Sequence, residues 1–266
     1  MKKIKDMKYT EFVGFINQWN VLPGSFNTLS KWRIFGDITN RSNILEIACT
    51  TGFSSRELAV LSGCKGIGID LSENSITSAQ KNKKLYAPEI DIQYEIGNAL
   101  NFNAQDKFSH IVLGSSLGFF DKPELLLNKI PELLQDGGYV LASPFFVKEK
   151  IPKDLVDKAY NVFDITVTQE DYKTVMKLYS DFEIIYESRE DLIKETKSEL
   201  EHYCKSTIDK LKEEGVILNE EDYKDSYDRL MEIKEMSNDL RPYQGYSVLV
   251  LRYRKKHYGK RYVELF

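Results

Sequence analysis

Three hydrogen-bond acceptors lie at or near the ends of short apolar runs: Glu46 in Ile44-Leu45-Glu46-Ile47-Ala48, Asp70 after Gly66 to Ile69, and Asn98 after Ile90 to Ile96. A loop of small residues, Cys49-Thr50-Thr51-Gly52, separates the first two. Carboxylate and amide oxygens at such points can accept from the hydroxyl and amino groups of a ligand. Ser115 and Ser116 follow a fourth apolar run. His202 and Tyr203, adjacent farther along, are candidates to act on a substrate proton.

These side chains need a scaffold of strand, tight loop, helix and strand. The run at 44–48 is too short and β-branched for a helix. Ser54-Ser55-Arg56-Glu57 has the form of a capping box, so the spacing predicts a helix that starts with Ser54 capping and Glu57 reaching back. A second strand ending on Asp70 completes the opening of a doubly wound α/β sheet, whose ligand crevice lies at the carboxyl ends of the strands. A dinucleotide cradle would need G-x-G-x-x-G in the loop, and this loop has Gly52 alone.

The stretch resembles the first motif of the class I S-adenosylmethionine (SAM) methyltransferases. Glu46 matches its acid, Gly52 its last glycine and Asp70 the ribose-binding acid, whereas Ala48 and Thr50 stand where the family usually has glycine. Gly97-Asn98-Ala99 looks like the family's Gly-Asp-Ala motif, and Asn98 keeps an oxygen for the adenine amino group. Ser115 to Asp121 fills the place of the loop beside the sulfonium, and Leu134-Gln135-Asp136-Gly137-Gly138 resembles the Leu-x-Pro-Gly-Gly turn. The resemblance implies a seven-stranded, mostly parallel sheet, antiparallel at its last strand. It also implies a SAM site of Glu46, Ala48, Cys49, Thr50, Gly52, Asp70, Leu71, Asn98, Ala99, Ser115 and Ser116.

Patterning divides the chain into four segments, whose roles as cap, core and lid are what the resemblance implies. Residues 1–42 form an N-terminal helical cap, with Phe12, Phe15, Ile16 and Trp19 on one face of a helix over 7–20 and a break at Pro23-Gly24. Residues 43–188 form the SAM-binding core, including helices over 152–163 and from a cap at Thr168 to Tyr179, then a strand from Phe182 to Tyr186. Residues 189–242 form a helical lid, its two helices separated by Gly215, the second opened by Asn219. Residues 243–266 hold the last strand, from Tyr246, and a tail in which Arg252 to Arg261 carries six Lys/Arg among ten residues. An αα insertion of this kind is similar to the lid of small-molecule methyltransferases.

The 266 residues, 42% hydrophobic and 29% charged, match a soluble single domain with insertions. A formal charge of −4 gives no global pull towards nucleic acid or anionic membrane. No run approaches the roughly 20 apolar residues of a spanning helix. Asp6, Lys8 and Glu11 interrupt any signal-peptide core. Cys49, Cys64 and Cys204 form no C-x-x-C pair, which argues against a disulfide framework or a metal site and for the cytoplasm. The expected function is SAM-dependent methyl transfer to nitrogen, oxygen or carbon of a small molecule, by a monomer or homodimer. His202 and Tyr203 are the candidate catalytic residues, and no clear base is offered. Two other readings stay open: a non-catalytic SAM-binding regulator, and an RNA methyltransferase using the basic tail.

Overall fold

Ile44, Leu45, Ile69, Ile111, Val112, Val140 and Val250 are fully buried or nearly so. Such continuous apolar runs belong to strands covered on both faces. The computed structural model describes residues 4–217 and 219–255. Strands β1 (Asn43–Ile47), β2 (Lys65–Asp70), β3 (Ile92–Ile96), β4 (Phe108–Gly114) and β5 (Leu134–Ala142) pair in parallel in the order β3-β2-β1-β4-β5. β8 (Gln244–Arg252) follows antiparallel beside β5 and is fully buried as far as Leu251.

The sheet has eight strands where seven were expected. Pro144 is the physical reason, since it has no N–H to give to the ladder. β5 pairs Tyr139–Ala142 with Arg252–Leu249, and after the break β6 (Phe145–Val147) pairs with Tyr246–Gln244 of the same strand. β7 (Glu183–Asp191) also pairs antiparallel with β8. It runs five residues past the predicted end, so the helical insertion begins later than position 189.

Helices α2 (Ser25–Phe35), α3 (Phe53–Ser62) and α4 (Glu73–Tyr86) contribute Leu29, Trp32, Leu58, Ala59, Ile76 and Ala79 to one apolar cluster. α5 (Pro123–Leu133) and α7 (Tyr172–Lys177) contribute Leu126, Ile130 and Val175 to a second. The cap of α7 is Asp171, which accepts from Thr174 N–H, and not Thr168. A third cluster joins three distant segments. It takes Phe12 and Ile16 from and just after α1 (Tyr9–Phe15), Ala159 and Phe163 from α6 (Lys153–Phe163), and Cys204, Ile208, Leu230 and Ile233 from α8 (Lys197–Glu213) and α9 (Glu220–Leu240). Packing therefore crosses the division into cap, core and lid. α1 is shorter than predicted, and Trp19 lies beyond it with Arg56 over its ring at 4.2 Å.

His110 on β4 is buried at 3% exposure. Its Nε2 lies 2.7 Å from the Gly36 carbonyl, which can only accept, so Nε2 carries the proton and Nδ1 accepts from Ser109 Oγ at 2.8 Å. Burial lowers its pKa, against the opposing Gly36 hydrogen bond and the Asp37 charge. The unfolded chain thus binds a proton before the folded one does. Stability present above pH about 6.5 is expected to fall towards the lowered folded value, by at most about 1.4 kcal/mol per pH unit. Urea midpoints between pH 7 and 5 check this, with a shallower decline expected for His110→Gln.

Candidate active site

The loop after β1 keeps a left-handed backbone at three alternate positions: Ala48 (φ 55°), Thr50 (φ 50°) and Gly52 (φ 74°). For residues bearing a Cβ this costs roughly 1–2 kcal/mol each. Tertiary hydrogen bonds hold the loop there. Cys49 N–H donates to the Ile69 carbonyl at 3.0 Å and Gly52 N–H to the Cys49 carbonyl at 2.8 Å. Thr50 N–H donates to Asp70 Oδ2 at 2.9 Å, and Ser72 N–H to Asp70 Oδ1 at 2.9 Å. One carboxylate thus ties the loop to the turn before α4. Burial raises the Asp70 pKa, against hydrogen bonds from Ser72, Thr50 and Leu71. Gly52 has a second constraint, because a Cβ there would come within 2.6 Å of the Tyr94 ring.

α3 begins at Phe53 after Gly52, without the expected Ser54–Glu57 box. Glu46 does the capping: buried to 5% exposure, it accepts from Ser55 N–H at 3.0 Å. A carboxylate at this end also meets the positive pole of the helix. Desolvation raises its pKa, against hydrogen bonds from Ser55 and Ser54. Glu57 instead receives the Arg56 Nε–H at 3.0 Å. Thr50→Gly is expected to stabilise the fold by up to about 1 kcal/mol, the left-handed penalty less the entropy cost of glycine. Chemical denaturation checks this, and a lowered midpoint would refute the strain.

At the carboxyl edge Leu71 is 72% exposed and Ile96 59%, two uncovered apolar side chains beside Asp70 and Asn98. Asn98 is exposed, and its Oδ1 accepts from Leu100 N–H at 3.0 Å, leaving a second lone pair. Ala99 is buried beneath it. Ser115 is half-buried at the end of β4, and Ser116 is buried with its hydroxyl unpartnered among the described residues. The N-terminal segment reaches this edge. Thr51 Oγ1 donates to the Gln18 carbonyl at 2.8 Å, Ser78 Oγ donates to the Gly14 carbonyl at 2.8 Å, and the Asn17 and Asn82 amides pair at 2.9 and 2.8 Å.

The two catalytic candidates separate. Leu200, Cys204, Ile208 and Leu211 define the buried side of α8, and His202 falls on the exposed side. Tyr203 is half-buried in the third cluster, with Lys234 Nζ 4.3 Å from its ring centroid. Burial pushes its pKa up to about 12, so its hydroxyl stays protonated and cannot serve as a base near neutrality. Patterning did not pick out Tyr9, whose ring lies parallel to Phe119 at 6.4 Å and edge-on to Phe163 at 5.2 Å. Nor did it pick out Lys234. Among the described residues no group of three or more His, Cys, Asp or Glu is placed to hold a metal.

A parallel sheet in this order, a left-handed loop after β1 and an acid ending β2 define a class: the class I SAM-dependent methyltransferase domains. The chain belongs to the methyltransferase-domain family, whose model matches residues 38–235. The MccD crystal structure is 26% identical, with a TM-score of 0.71 over 88% of this chain and 100% of that one. A SAM-dependent methyltransferase from Geobacter sulfurreducens, in complex with S-adenosyl-L-homocysteine, shares the fold at 14% identity and a TM-score of 0.68, covering 91% of this chain and 98% of that one. An uncharacterized protein of Haemophilus influenzae is 24% identical over 168 residues, which is 62% of this chain and 66% of its own length.

Proposed function

We propose that this chain uses SAM to methylate a nitrogen or oxygen atom of a small molecule. One observation carries the reading. Ala48 and Thr50 hold positive φ where glycines would be free of strain, so the loop keeps a costly shape that Asp70 stabilises from the next strand. Strain of this kind is kept where function needs the conformation.

The residues fit the cofactor. Asp70 has lone pairs left for the ribose hydroxyls, and the exposed Leu71 with Asn98 and Ala99 provides an apolar surface and an acceptor for the adenine. Cys49, Thr50 and Gly52 supply the backbone under the methionine half, Glu46 holds α3 and the loop from behind, and Ser115 and Ser116 face the reacting end. When bound, SAM supplies an electrophilic methyl group on a sulfonium. The chain's own part is to orient the acceptor and exclude water, an effect that can reach about 7–11 kcal/mol.

Tyr203 stays protonated and His202 faces solvent, so neither of the two candidates stands ready as a base. That favours an amine, which attacks as its free base, over an alcohol. The helical lid supports a small acceptor over RNA. Arg252 donates to the Gly137 carbonyl and Arg254 is ion-paired to Glu183 at 3.1 Å; the rest of the basic tail lies outside the described residues. Three buried free thiols support a cytoplasmic protein, monomeric or homodimeric. Among the described residues no helix is long and apolar enough to cross a membrane.

Calorimetry with SAM tests the cofactor, and formation of S-adenosylhomocysteine with a metabolite pool tests turnover. Absence of SAM binding would end the proposal, and binding without turnover on any pool would leave a regulator.

A further inference from the structure

The side of the molecule that would receive the acceptor carries a positive charge with no ion pair among the described residues. Lys234 on α9 is half-buried, and burial lowers its pKa from the ordinary lysine value. Its recorded partner is the Tyr203 ring. Glu195, the acid that acts on it most, lies beyond ion-pair distance and is itself paired with Arg241 at 2.7 Å. Cys204, which also faces it, is buried, and its thiol is held neutral by a pKa of about 11. An ammonium partly withdrawn from water with no anion beside it is costly unless something else supplies the charge.

The surroundings of Lys234 lead back to the methyl-transfer side. Tyr203 and Tyr9 both pack against the third cluster. The Tyr9 ring lies parallel to Phe119, within 3° and at 6.4 Å, in the turn that follows Ser115 and Ser116. Phe35 and Tyr186, by contrast, stack directly at 3.9 Å. Tyr9 and Phe119 are therefore not in tight face-to-face contact, and Phe119 remains 43% exposed. Phe119 beside Tyr9, Tyr9 and Tyr203 on the third cluster, and Lys234 over Tyr203 link the turn after β4 to α8 and α9, aromatic until the cation at the far end. A cationic acceptor would meet like charge there, and the cation seat on Tyr203 is already filled by the protein's own lysine.

We infer that the methyl acceptor is an organic anion whose carboxylate or phosphate ester sits on Lys234, with its apolar body against Tyr9 and Phe119 and its nucleophilic nitrogen or oxygen apart from that charge. This rests on the reading of the chain as a small-molecule methyltransferase. The probes are benzoate, phenyl phosphate and benzamide, which share a ring and differ in charge. Their binding to the full chain is followed by ligand-observed NMR, with and without S-adenosylhomocysteine.

Benzoate or phenyl phosphate is expected to bind about 10- to 100-fold more tightly than benzamide, the scale of a hydrogen bond to a charged group. The tighter of the two shows which anion the site takes. Lys234→Met should abolish the preference and Lys234→Arg should keep it, with circular dichroism confirming that both fold. Equal binding of benzamide, no binding of any probe, or a preference that survives in Lys234→Met would each overturn the inference. S-adenosylhomocysteine affinity, measured separately, keeps the two readings apart. Its loss in the parent chain would sink the cofactor assignment, whereas intact affinity without an anion preference would sink the anionic acceptor alone.

Discussion

An Asp70→Ala variant is expected to bind SAM about 10- to 150-fold more weakly than the parent chain, matching the roughly 1.5–3 kcal/mol of a hydrogen bond to a charged group. The structure gives the loss two origins. The carboxylate would accept from the ribose, and it already holds Thr50 N–H and Ser72 N–H at 2.9 Å each. Without it, two backbone donors lose their partner and the left-handed conformation at Thr50 loses its clamp. Asp70→Asn is expected to fall in between, because its NH2 must point at one of two N–H donors. Calorimetry on folded variants decides the matter, and unchanged SAM affinity in Asp70→Ala would refute the assignment.

Replacing residues 192–240 by a short Gly/Ser linker is expected to abolish methyl transfer and also to lower SAM affinity by roughly tenfold or more. From the sequence, such a deletion should spare the cofactor site, since the insertion reads as a flap over a finished sheet. The third apolar cluster changes that expectation. Deleting α8 and α9 strips Phe12, Ile16, Ala159 and Phe163 of their covering, and it removes Arg229, which donates to the Ile4 and Met7 carbonyls and lies 4.8 Å from the Phe12 ring. α1 would lose its seat, and with it the Gln18 and Asn17 contacts that hold Thr51 and Asn82. Dye binding to exposed apolar surface should rise in the deletion while far-ultraviolet circular dichroism keeps a sheet signal. A folded deletion with full SAM affinity would show the lid to be independent after all.

Much of the core was legible in the sequence because its signals are local. Short β-branched runs gave the strands, the Asn219 cap and Gly215 stop sit where expected, and Asp70 ends β2. The misreadings have different causes. Ser54-x-x-Glu57 is a sound capping box, but Glu46 from the preceding strand reaches the helix terminus first. The capping box that does form is Thr196 with Glu199, at the start of α8. The exposed side of His202 could have been read from the buried series Leu200, Cys204, Ile208 and Leu211 on the same helix. Tyr9 and Lys234 could not have been linked in this way, since residues so far apart meet only through the third cluster.

The contact between Arg229 and the first residues also bears on how the protein is made. Ile4 and Met7 are bonded to a side chain 225 and 222 positions later. At a synthesis rate of about 5–20 residues per second, the N-terminal helix waits roughly 10–45 seconds after leaving the ribosome before its partner exists. β8 comes later still, and it is the strand that must enter between β5 and β7. A nascent chain therefore carries a finished β1-to-β5 half-sheet with one apolar edge open and an amphipathic helix unseated, so slower translation lengthens its exposure to aggregation, and a stop codon before β8 leaves the sheet unclosed.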